Sequence, residues 1–158
     1  MDLNRQVVHE FRSIVEGGCL AVEASTTSPY FGDALVTLAG RNFKLRVVRD
    51  RGDITVDMSR PDADGVRRDD TVALPHDLDD WFPAEWLVAV VGGSPPEPAG
   101  TLDIASAAAF VAKNHGGIVA AYTPEAAAGT RARLTDISRI LLVEMKQAEN
   151  RMGRRSGA

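Results

Sequence analysis

Apolar positions recur along this chain at two different periods, and the change of period divides it into elements. Over residues 2–16, Leu3, Val7, Phe11, Ile14 and Val15 fall at helical spacing, while Arg5, Glu10, Arg12 and Glu16 take the other face. The spacing predicts an amphipathic helix with Asp2 as a candidate N-cap and Gly17-Gly18 as its stop. The period then drops to two. Cys19–Ser25 alternates, with Leu20, Val22 and Ala24 on one face. From Phe31 to Met58 the alternation continues through Ala34/Val36/Leu38, Phe43/Leu45/Val47 and Ile54/Val56/Met58. Gly40-Arg41-Asn42 and Asp50-Arg51-Gly52-Asp53 separate these runs, and both carry residues that tolerate positive φ. Four antiparallel strands in a meander follow, with one apolar face that helices must cover.

The second half reads as helical. Residues 60–80 are rich in Asp, Pro and Gly and predict no regular element. A helix starts after Asp80 or Pro83 and runs to Val91, before Gly92-Gly93. Ser94–Gly100, SPPEPAG, is a connector between elements. Thr101 is a candidate N-cap for a helix over 102–114, which Asn114-His115-Gly116-Gly117 breaks or kinks, with Ile118–Tyr122 as a further turn. Thr123-Pro124-Glu125 starts a last helix reaching about Met152, with Leu134, Ile137, Leu141, Met145, Ala148 and Met152 as its apolar stripe. The expected fold is α+β: a four-stranded antiparallel meander packed against an N-terminal helix and a C-terminal helical pair. It forms one domain over residues 1–152, with a flexible tail over 153–158.

Composition narrows the function classes. The chain has 158 residues, 44% of them hydrophobic and 25% charged, an ordinary balance for one domain with its own core. A net charge of −4 argues against general nucleic-acid binding, which needs a basic surface. Cys19 is the lone cysteine, so no intrachain disulfide forms and a reducing cytoplasm is the expected compartment. MDLNRQVVHEF does not read as a signal peptide, and no membrane partner is expected. The longest apolar stretches, such as Ile140–Val143, have the size of core segments rather than of a span of about 20 residues.

No catalytic, metal-binding or cofactor-binding constellation emerges. Gly92-Gly93-Ser94 lacks the further glycine and the lysine of a phosphate loop. His9, His76 and His115 are scattered and have no zinc-ligand spacing. No serine sits in a Gly-x-Ser-x-Gly elbow. Cys19 with His76 or His115 would serve a small enzyme or ligand-binding pocket, although a strand cysteine more often packs as a small hydrophobe. The alanine-rich run Ala105, Ala107, Ala108, Ala109 and Ala112 suits close helix contact in an assembly subunit, or an ordinary internal contact.

Charge patterning is more informative. Between Asp53 and Glu85 acidic residues outnumber basic ones ten to three. Pro75–Trp86, PHDLDDWFPAEW, mixes carboxylates with both tryptophans. Asp69, Asp70, Asp77, Asp79, Asp80, Trp81 and Trp86 are therefore candidate residues for docking a basic protein, with Lys44, Arg46 and Asp57 on the nearby sheet face. The plainer alternative buries Trp81, Phe82 and Trp86 in the core while the aspartates favour a helix N-terminus.

Four stretches carry a family resemblance: Phe31-Gly32-Asp33-Ala34-Leu35-Val36, the Leu45–Asp53 turn LRVVRDRGD, Asp79–Trp86, and Tyr122–Leu134, YTPEAAAGTRARL. In these the chain resembles small bacterial immunity-type proteins of toxin–immunity systems. Ser94–Gly100 and Gly116-Gly117 depart from that pattern. The resemblance implies a cytosolic α+β protein without catalytic residues whose partner is a cognate protein toxin.

Overall fold

The computed structural model describes residues 2–27, 33–63, 81–98 and 102–155. Among these residues the elements run in the order α1 (Leu3–Glu10), α2 (Arg12–Glu16), β1 (Leu20–Thr27), β2 (Ala34–Gly40), β3 (Lys44–Asp50), β4 (Asp53–Ser59), β5 (Phe82–Pro83), α3 (Ala84–Gly92), α4 (Ile104–Ala121) and α5 (Ala127–Arg155). The α+β class matches the hydrophobic pattern. The sheet has five antiparallel strands, not four, in the order β1-β2-β3-β4-β5. The added strand is two residues long, pairing Phe82 with Met58 and Pro83 with Asp57. It is too short for alternation to reveal, and proline confines it to the sheet edge.

Local chemistry sets the boundaries. Phe11 leaves helical geometry (φ −88°, ψ 9°) and separates α1 from α2, yet the stripe Leu3, Val7, Phe11 and Ile14 stays buried. Gly18 takes φ 73°, and the amides of Cys19 and Gly18 donate back to the carbonyls of Ile14 and Val15, closing the helix with a Schellman motif. Asp2 occupies the N-cap position, but its carboxylate makes no capping bond. Arg51 (φ 51°) and Gly52 (φ 97°) form the tight β3–β4 turn, and the Arg51 amide donates to Asp33 Oδ1 at 3.0 Å. The N-cap of α4 is Asp103, which accepts from the Ser106 amide at 2.7 Å. Thr101 lies outside the described residues. The expected break at Asn114 is a kink (φ −115°, ψ 16°) inside a longer helix.

One face of the sheet builds the main core. Ala34, Val36, Leu38, Leu45, Val47, Val56 and Met58 meet Leu3, Val7, Leu87, Ile104, Val111 and Ile118 from the helices. A second, smaller cluster joins Phe82 and Trp86 to Leu134 and Leu141 of α5. The expected C-terminal helical pair is therefore arranged differently: α3 makes the main contacts with both α4 and α5. The last helix continues past Met152 to Arg155, and residues 156–158 lie outside the described part.

Candidate protein-interaction surface

The second face of the sheet holds Lys44, Arg46 and Asp57, and it is less open than their polarity suggests. Arg46 pairs directly across β3–β4 with Asp57, and its Nε donates to Asp57 Oδ2 at 2.9 Å. Its guanidinium carbon lies 4.7 Å from the centre of the Trp81 ring. With Arg46 only 8% exposed, this ion pair belongs to the packed structure. Lys44 Nζ sits 2.9 Å from Glu23 Oε1 and donates to the Ala63 carbonyl at 3.3 Å.

Alternation from Ala21 puts Glu23 on that face, and a β-bulge follows at once. The β1–β2 register shifts between Val22 and Ala24, so Val22 pairs with Leu38 and Ala24 with Thr37. The expected set Leu20, Val22 and Ala24 is split, because the extra residue sends Ala24 to the polar face. Beyond Leu20 the whole of β1 is exposed. The edge position leaves it one neighbouring strand.

Trp81 and Trp86 are both buried, at 3% and 4% exposure, as the plainer alternative has it. Trp86 packs in the second core cluster, and its ring centre lies 6.3 Å from that of Phe82. The carboxylates placed with them, Asp69, Asp70, Asp77, Asp79 and Asp80, lie outside the described residues. Glu85, from the same segment, is buried and accepts from the Leu102 amide through Oε1 at 2.9 Å, while Oε2 has no hydrogen-bond partner among the described residues. It ties α3 to the chain beyond the proline-rich connector.

Of the Cys19, His76 and His115 set, the two described members each pack against a neighbour. Cys19 Sγ approaches the Gly17 carbonyl at 3.9 Å, and the His115 ring packs edge-on against Phe43 at 6.0 Å. His76 lies outside the described residues. A cleft of about 330 Å³ opens elsewhere, lined by Arg60, Phe82, Tyr122, Pro124, Arg131 and Leu134 among others. Its walls are apolar and cationic. Tyr122 is buried, its hydroxyl has no hydrogen-bond partner among the described residues, and desolvation pushes its pKa above the ordinary tyrosine value.

Among the described residues the most exposed large apolar side chains lie on α5. This helix has 29 residues, about 43 Å at 1.5 Å per residue. Its stripe is covered at Leu134, Ser138 and Leu141, and every residue from Leu142 to Met152 is exposed. At that transition the sequence Ile140-Leu141-Leu142-Val143 is apolar around a full turn. Ile140 (52%), Leu142 (52%), Val143 (54%) and Met145 (56%) all stand more than half exposed. Length alone makes Ile140–Val143 look like a core segment. The structure covers only Leu141 of the four. The signal available in the sequence was the absence of any polar face across that turn, since a helix apolar all round is normally enclosed.

Among the described residues no three His, Cys, Asp or Glu side chains gather to hold a metal, and no helix is long and apolar enough to cross a membrane. Compared with protein-family models, curated proteins and solved structures, the chain matches none.

Proposed function

We propose that this protein acts by holding another protein and that the apolar turn of α5 takes part in the contact. The observation that carries this is the exposure of Ile140, Leu142 and Val143 on a helix with no polar side over that turn. Large apolar side chains grouped this way are enclosed by a partner in functional assemblies. Its narrower form is an immunity protein that binds and neutralises a cognate bacterial toxin in the cytoplasm. The resemblance in Phe31–Val36, Leu45–Asp53, Asp79–Trp86 and Tyr122–Leu134 supports it, as does the acidic composition of Asp53–Glu85, which suits a basic toxin surface.

The test is co-expression with the products of adjacent genes, followed by co-purification and growth measurement. A toxic neighbour rescued by this chain, in a complex lost on Ile140→Asp with Val143→Asp, is the expected result. Both substitutions are at exposed positions, and an unchanged circular-dichroism spectrum confirms that the fold is intact. A complex indifferent to the double substitution removes α5 from the interface. If no neighbour is toxic or binds, the immunity assignment fails.

A further inference from the structure

On α5, Leu134, Ser138, Leu141, Met145, Ala148 and Met152 follow each other at alternating steps of four and three residues. That is the seam of a coiled coil. Its first half, Leu134, Ser138 and Leu141, is buried at 1%, 7% and 8% exposure. The same seam then leaves the body unchanged, with Met145 and Met152 at 56% and 65%. Its covering ends where the domain ends, although its pattern does not.

We propose that a second copy of this chain covers the outer half of the seam, with the two α5 helices antiparallel. Charge decides both the occupant and the direction. Glu144 and Arg151 are one heptad apart on the same flank, with Glu149 on the other. Parallel pairing would set Glu144 against Glu149 of the second copy, twice, with like charges opposed. Antiparallel pairing sets Glu144 against Arg151 of the second copy, and symmetry repeats that ion pair. The same register stacks Met145 on Ala148 of the second copy, a large side chain over a small one, and brings Met152 to the margin of the body next to the covered Leu141. The overlap then spans Leu142 to Met152 on each chain, the stretch that is exposed throughout. Ile140 and Val143 lie about 110° and about 170° around the helix from this seam at 100° per residue, so self-pairing leaves them open and does not depend on the proposed function.

Sedimentation velocity of the full chain from about 1 to 200 μM tests this. The overlap is small against interfaces of about 1,200–2,000 Å², so a concentration-dependent dimer in the micromolar range is expected. Glu144→Arg alone, or Arg151→Glu alone, should weaken the dimer about tenfold, because two attractive pairs become repulsive. Together they should restore it. A chain that stays monomeric throughout overturns the proposal. So does a dimer that ignores the single substitutions or that the paired substitution fails to rescue.

Discussion

The guanidinium of Arg46 lies 4.7 Å from the centre of the Trp81 ring while its Nε donates to Asp57 at 2.9 Å. One side chain therefore joins the strand next to the sheet edge, the central strand and the segment that returns to form β5. Three residues that the sequence offers as a recognition surface work here as packing. Removing Arg46 leaves the mostly covered carboxylate of Asp57 without this partner. Arg46→Ala should cost about 2–4 kcal/mol, and Arg46→Lys should recover only part of it, since an ammonium neither lies flat on the ring nor keeps the planar fork. Urea unfolding followed by tryptophan fluorescence measures both. A loss below about 0.5 kcal/mol for Arg46→Ala would mean the pair is no more than a surface contact.

Tyr122 should tolerate losing its hydroxyl. The group is buried and has no hydrogen-bond partner among the described residues, so the fold bears its desolvation without return. Tyr122→Phe should leave stability unchanged or raise it by about 1 kcal/mol. Burial raises its pKa from 10.0. The folded state therefore holds the proton more tightly than the unfolded chain does. This contribution is fully present below pH 10 and is lost as pH rises above it. The wild type should lose stability faster than Tyr122→Phe in alkaline thermal melts, and parallel curves would contradict the assignment.

Glu85 should act through one oxygen. Oε1 accepts from the Leu102 amide at 2.9 Å, so Glu85→Ala strands that donor and should cost about 1–3 kcal/mol. Glu85→Gln keeps an acceptor and should recover most of the loss. Hydrogen exchange at the Leu102 amide should quicken in the alanine variant and stay slow in the glutamine one. Equal exchange in both would detach the connector from α3.

Three glycines should respond in three ways. A Cβ on Gly40 would stand 2.8 Å from the Phe43 ring and 2.9 Å from Leu20, so Gly40→Ala should cost about 1–3 kcal/mol through overpacking. Gly52 has open space but φ 97°, and Gly52→Ala should cost about 1 kcal/mol through backbone strain alone. Gly116 lies within α4 with no atom within 4 Å, so Gly116→Ala should stabilise by about 0.5–1 kcal/mol. Thermal melts of the three variants should therefore show two lower midpoints and one higher.

Most element positions were legible in the sequence. Each depends on a short-range rule: period 3.6 for Leu3–Ile14, period two for Ala34–Leu38 and Leu45–Val47, and positive-φ residues at Asn42, Arg51 and Gly52. The misplaced features depend on neighbours distant in the chain. Ala24 changes face because a bulge inserts Glu23 against β2, and Phe82-Pro83 becomes a strand only beside Met58 and Asp57. The stripe from Leu134 to Met152 was visible as a stripe, but nothing local marks where its covering stops.

Alternation and spacing by themselves determined the α+β class, the order of the main elements and the apolar faces of β2, β3 and β4, because those follow from backbone geometry over a few residues. Tertiary structure alone decided which charged and apolar groups meet solvent. Arg46 and Asp57 are hidden because Trp81 and the cross-strand register bring partners to them. Ile140, Leu142 and Val143 are exposed because they face away from Phe82 and Trp86, which cover Leu134 and Leu141 on the other side of the helix. Burial is a property of what lies alongside a residue, and the hydrophobic pattern records only what a residue needs.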